Sequence, residues 1–232
     1  MGSDGKLVQG KGGSIIHVNL AEKLLLTLLS KLSNFIPDAG IWMNTQRPEW
    51  NDANNALVGY GVSMVTTYQL RAFMAFLKKL LKLPGVETLD ISEEVADLLD
   101  RIFYVLKDYV KMPVFQQNGK ERKTIMDGLG RAGSDYRQRV YQHGLRGKKS
   151  KLRLEHVAAF LQLALDSVDL TIAANRRQDK LYHSYNLISL EGSEEIHVRR
   201  LYEMLEGQVA IVASGYLSPE ETLEVLDALK AS

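Results

Sequence analysis

The 232-residue chain contains no cysteine. That absence removes disulfides, thiolate catalysis and cysteine metal sites together, and it suits a cytoplasmic protein. Long apolar runs are missing as well. No stretch of roughly 18 uncharged apolar residues occurs, so no membrane span is expected. Neither sign of charge dominates: 29 Lys and Arg stand against 28 Asp and Glu, a net charge of +1. The molecule as a whole therefore offers no field that would gather nucleic acid or an acidic membrane surface. The five histidines form no i, i+4 pair, and no metal site is expected. The opening MGSDGKLVQGKGG is polar and glycine-rich, without the apolar core of a signal peptide. Residues 1–16 read as a flexible N-terminal segment.

What remains is helical in pattern. Residues 21–35 carry leucines at 24, 25, 28, 29 and 32, opposite lysines at 23 and 31, a stripe of period 3.6. Residues 53–83 form a mostly apolar run with no lysine or arginine before Arg71, expected to be an internal helix. Gly59 and Gly61 each cost about 1 kcal/mol inside a helix, which points to close packing or a later start. LPGVETLD reads as a loop, and Asp90 with Glu93 as a capping box opening the next helix. A charged helix over 122–143, a basic loop HGLRGKKSK and a strong helix over 152–177 follow. YHSYNLISL and QVAIVASG have strand-like content, and Ser218, Pro219 and Glu221 mark a final helix. The fold class expected is mainly all-α, with minor β near the C-terminus. Residues 17–232 would form an antiparallel helical domain, part of an α/α toroid.

One segment stands apart from this pattern. IWMNTQRPEWNDANNALVG, residues 41–59, holds both tryptophans of the chain, Trp42 and Trp50. Around them lie Arg47, Glu49, Asn51, Asp52 and Asn55. Sugars are bound by aromatic faces against their C–H faces and by amides, carboxylates and guanidiniums against their hydroxyls. Asp52 is the sharpest carboxylate, because an indole nearby lowers local polarity and raises an acid's pKa, as general-acid work requires. The plainer reading makes Asp52 or Asn51 a helix N-cap and the tryptophans core anchors.

PEWNDANNALVG resembles the Asp-Trp-Asn-Asp-Gly-x-Asn segment of the cellobiose-phosphorylase family, inverting glycoside phosphorylases with related hydrolases. Trp50, Asn51, Asp52, Asn55 and Gly59 match; Glu49 stands where that family has aspartate, and Ala53-Asn54 replaces glycine and its neighbour. The resemblance implies an (α/α)₆ barrel and Asp52 as general acid. It also implies substrate contacts from Trp42, Arg47, Glu49, Trp50, Asn51 and Asn55, with His183 of LYHSYNLI as a phosphate contact. The substrate would be a disaccharide or oligosaccharide. No cofactor is implied beyond inorganic phosphate as co-substrate.

A twelve-helix toroid exceeds what this chain supplies. The resemblance therefore implies missing N-terminal domains or a homo-oligomer, and an exposed apolar face. The alternative from another class is a non-catalytic helical module that keeps the Trp-Asn-Asp segment as a fold determinant.

Overall fold

The computed structural model of the chain describes residues 13–43, 56–81, 85–111, 118–191 and 194–232. Helix α1 (Leu20–Leu32) begins where the Asn19 side chain accepts the Glu22 N–H, and it buries Leu25, Leu28, Leu29 and Leu32. The leucine stripe runs one turn less than its sequence pattern, because Phe35–Ile36 leave the helix as strand β1. A turn through Asp38 (φ 61°) and Gly40 (φ 116°) reverses the chain into β2 (Gly40–Trp42). Gly40 is required there: a Cβ would lie 2.8 Å from Ser63 O and 2.9 Å from Thr67 Oγ1.

The apolar run expected as one helix is divided. Gly61–Ser63 is strand β3, and helix α2 (Met64–Leu80) starts only after it, with the Ser63 hydroxyl accepting the Thr66 N–H. Gly61 marks the close packing: a Cβ there would stand 2.3 Å from Leu57 Cβ. LPGVETLD and the basic loop are corrected in the same way. Thr88–Ser92 (β4) pairs antiparallel with Lys149–Arg153 (β5) as a two-stranded sheet.

Helices α3 (Glu93–Lys111), α4 (Gly119–His143) and α5 (Leu154–Ala174) lie close to their sequence patterns. Beyond them, β6 (Tyr185–Glu191) and β7 (Glu195–Arg200) form a hairpin. QVAIVASG is mostly helix, within α6 (Leu205–Ala213). Helix α7 (Pro219–Ala231) carries the expected capping box between Ser218 and Glu221.

The all-α expectation is therefore overturned. The described residues hold a five-stranded antiparallel sheet ordered β1-β2-β3-β6-β7 besides the two-stranded one. Its strands come from both halves of the chain: Val62 pairs with Asn186. With a sheet at the start of the 53–83 run, the chain is not a portion of an all-helical toroid.

The helices pack in succession, α4 on α3, α3 on α5, α5 on α2 and α2 on α6, with α1 against α2, α3 and α4. Helix α5 is long and apolar enough to cross a membrane by composition; α2 and α3 on either side of it account for that character. The sheet curls. Its two edge strands both touch α4, and Ile36 of β1 shares one apolar cluster with Ile196 of β7. Exposed Leu205 and Val209 line an open groove between α2 and α6.

Candidate functional site

The tryptophan-rich segment lies in the chain between β2 and β3, which pair antiparallel. Met43 N donates to Gly61 O at 2.9 Å, and Gly59 N donates back to Met43 O at 2.7 Å. The Trp42 indole Nε1 donates to the same glycine's carbonyl at 3.0 Å. Gly59 sits at φ 94°, a backbone region that favours glycine. The chain thus leaves the sheet at Met43 and rejoins it at Gly59, with its two ends hydrogen-bonded together. Arg47, Glu49, Trp50, Asn51, Asp52 and Asn55 lie outside the described residues.

Trp42 has a second neighbour that the sequence pattern did not bring to notice. Half-buried, it walls a cleft of about 340 Å3 against α4. From α4 the cleft is lined by Asp127, Arg131 and Ser134, spaced i, i+4, i+7 on one helical face, with Asp135 and Arg137 alongside, and by Met126, which shares with Trp42 the apolar cluster of Ile36, Ala39, Val62 and Ile196. Ser33 and Asn34, at the end of α1, complete it. Two glycines shape it. At Gly133 a Cβ would stand 2.6 Å from Ser33 Cβ, so glycine is what lets α4 approach α1 there; at Gly130 a Cβ would meet nothing within 4 Å. Fixed partners hold several of the polar groups. Lys123 pairs with Asp127 at 2.5 Å, Arg101 with Asp135 at 2.6 Å, and Arg137 donates to Ser134 Oγ at 3.3 Å.

A row of directly paired residues crosses the sheet from Trp42 through Val62 and Asn186 to Arg200. Directly opposed residues share a face, so this row lies on the α4 side. Joined to it through Asn186 runs a partly buried polar network. Arg122 of α4 donates to Pro37 O (3.0 Å), Ile196 O (2.8 Å) and Asp38 Oδ2 (2.8 Å). Asn175 Nδ2 donates to Asp38 O, and Asn186 Nδ2 to Ala39 O and to Asn175 Oδ1. Each partner here is a backbone group or a partly or fully buried side chain of the turn and its neighbours. The network closes the curled sheet, and burial together with the Asp38 charge pushes the nearby Tyr109 hydroxyl up.

His183 stands apart from Trp42. It lies outside β6, two residues before that strand begins. Its Nδ1–H donates to Leu201 O at 2.9 Å, and its own carbonyl accepts the Tyr68 hydroxyl at 2.8 Å. Burial lowers its imidazole below the usual histidine range, against the Leu201 hydrogen bond. Of the candidate site residues singled out from sequence, Trp42 and His183 are the two whose positions are described: Trp42 ends β2, and His183 lies outside the sheet, before β6. The α4 residues had one signal available: polar side chains at 127, 131 and 134 on a helix with few apolar residues. Their meaning depends on Trp42, which is distant in sequence.

Comparison with known protein families found no family model that matches the chain, and comparison with curated proteins found no match.

Proposed function

We propose that the chain acts on glycosidic bonds, by phosphorolysis or hydrolysis with inversion, and that Asp52 is the general acid. The observation that carries the reading is the hairpin root. The segment that resembles the cellobiose-phosphorylase motif is bracketed by hydrogen bonds between Met43 and Gly59, and an indole at its base walls a cleft lined in part by polar side chains of α4. That is support for a binding segment whose two ends are held by a sheet, an arrangement by which scaffolds commonly carry function.

In this reading the Asp52 carboxyl gives its proton to the glycosidic oxygen as the bond to the anomeric carbon breaks. A phosphate oxygen or a water oxygen attacks that carbon from the opposite face. Phosphate, already anionic, needs no base, and the products are an inverted glycosyl phosphate and a free sugar. Water needs a second carboxylate about 6.5–9.5 Å from the first to take its proton. The proposal does not use His183, whose ring nitrogen and carbonyl serve the fold.

The test is Asp52→Asn, which keeps shape and removes the proton. Turnover of an unactivated disaccharide should fall by about 10²–10⁴-fold, while a substrate with a good leaving group is spared. The rival reading, a non-catalytic module with Asp52 as a cap, calls for no change, since asparagine caps as well as aspartate.

A further inference from the structure

We infer that the outer edge of β5 is a docking strand for an acidic, extended peptide segment, which adds a third strand to the β4–β5 ribbon. The inference is independent of the reading that the chain acts on glycosides. Hydrogen bonds at the two ends of the ribbon set which backbone groups are free. Leu154 N donates to Glu87 O at 2.9 Å, and Glu93 N donates to Lys148 O at 3.1 Å. Antiparallel ladders alternate, so the pairs Leu89–Leu152 and Ile91–Ser150 exchange the bonds between those ends. The N–H and C=O of Asp90 and Ser92 then point away from β5, and those of Lys149 and Lys151 point away from β4.

The fold covers one of these edges and not the other. On β4, Asn19 Nδ2 donates to Asp90 O at 2.6 Å, and Ser92 N donates to Glu22 Oε2 at 3.1 Å. On β5, the backbone groups of Lys149 and Lys151 have no partner on the outer side among the described residues. An open edge of this kind is a template for another strand.

Charge selects the strand. Lys149, Lys151 and Arg153 are exposed and alternate along β5, so they share one face of the ribbon. Lys149 is held by Glu22 at 2.8 Å, whereas Lys151 and Arg153 have no ion pair among the described residues. A second copy presenting the same edge would set these cations against one another, which is destabilising. The chain's own segments beyond the described residues contain no two acids two positions apart. The occupant that fits is a separate polypeptide with Asp or Glu at alternate positions, opposite Lys149, Lys151 and Arg153. Its intervening residues fall on the side of buried Leu152, which suits Val or Thr.

The test titrates the 232-residue chain into a fluorescein-labelled peptide, Thr-Glu-Val-Glu-Thr-Glu-Val, read by anisotropy, with amide NMR shifts locating the site. Three further probes are compared: the isomer Glu-Glu-Thr-Val-Thr-Val-Glu, the first peptide N-methylated at its glutamates, and a short single-stranded DNA. The isomer keeps charge and composition but loses the alternation; N-methylation removes the N–H groups that would face β5. Two protein variants separate charge from backbone. Lys151→Gln removes the cation and keeps the outward N–H. Lys151→Pro removes both, and an edge position whose N–H lies outside the ladder tolerates proline. Wild type is expected to bind the alternating peptide, with shifts centred on residues 148–153. The isomer and the N-methylated peptide should bind at least about tenfold more weakly. Lys151→Gln should weaken binding about threefold, and folded Lys151→Pro at least about tenfold. No binding of the alternating peptide, equal binding of its isomer or of its N-methylated form, or tighter binding of the DNA overturns the docking strand. If Lys151→Pro unfolds, the N-methylated peptide decides, because it leaves the protein unchanged.

Discussion

Arg122 and Asp38 form a half-enclosed ion pair at 2.8 Å, their side chains 14% and 17% exposed, and the same guanidinium also holds carbonyls at Pro37 and Ile196. One side chain of α4 therefore ties the β1–β2 turn to β7, the two edges of the curled sheet.

Removing it should be costly. Arg122→Met leaves Asp38 and two carbonyls without their donor, and breaking such a pair from one side costs about 3–5 kcal/mol. Adding Asp38→Asn should recover part of the loss, because asparagine tolerates the positive φ at that position. Urea unfolding of the single and double variants measures both. A loss under about 1 kcal/mol for Arg122→Met would show that the sheet closes without this bridge.

Two glycines should answer oppositely to the same substitution. Gly40→Ala forces a side chain into a positive-φ position, 2.8 Å from a backbone oxygen, and should cost at least about 1–3 kcal/mol. Gly130→Ala adds a methyl to open space in a helix interior and should gain about 1 kcal/mol. Thermal melts of the pair distinguish them. Equal effects would mean that the turn at Asp38–Gly40 is less constrained than its contacts require.

What could be read from sequence follows from how far apart the determining residues lie. Leucines 25, 28, 29 and 32 announce α1, and Ser218 with Glu221 announces α7, because each signal is complete within a few turns of chain. Strands of two or three residues, such as Phe35–Ile36 and Gly61–Ser63, are too short to show an alternation. Their identity comes from partners up to 126 positions away, as in Gly61 with Leu187. QVAIVASG illustrates the reverse error. Its β-branched content suggests a strand, yet Gln208 bonds both N–H and C=O of Tyr182. Gly207 packs so tightly that a Cβ would stand 2.0 Å from Ser184 Oγ. Tertiary contact overrides propensity there. The candidate site divides likewise: Trp42 was visible as a rare residue in a polar segment, whereas Asp127, Arg131 and Ser134 acquire meaning only when the fold sets them opposite it.

Acid should weaken the protein in two separate windows. Burial opposes ionisation of Glu94, but hydrogen bonds from the Arg146 backbone and guanidinium outweigh it and hold the carboxyl below 4.5. A depressed carboxyl contributes stability that is complete above its unfolded value and is lost as pH falls through the folded one. The difference between wild type and Glu94→Gln should therefore be constant near neutrality and shrink below about pH 4.5. His183 acts higher. Its buried ring resists protonation, so the unfolded state takes up the proton first, and stability begins to fall below 6.5. His183→Asn should flatten that upper window alone. Unfolding free energies measured from pH 3 to pH 8 contain both results, and a His183→Asn curve parallel to wild type between pH 5 and pH 7 would contradict the second.

The central claim is that Asp52 donates a proton to a glycosidic oxygen. It is tested most directly by comparing wild type and Asp52→Asn on an unactivated disaccharide such as cellobiose, with and without inorganic phosphate, following release of free sugar and of sugar phosphate. The account predicts measurable turnover by the wild type and a fall of about 10²–10⁴-fold in the variant, with much smaller losses on an aryl glycoside whose leaving group needs little protonation. Equal turnover of the disaccharide by the two proteins, or none by the wild type across the disaccharides tested, would contradict it.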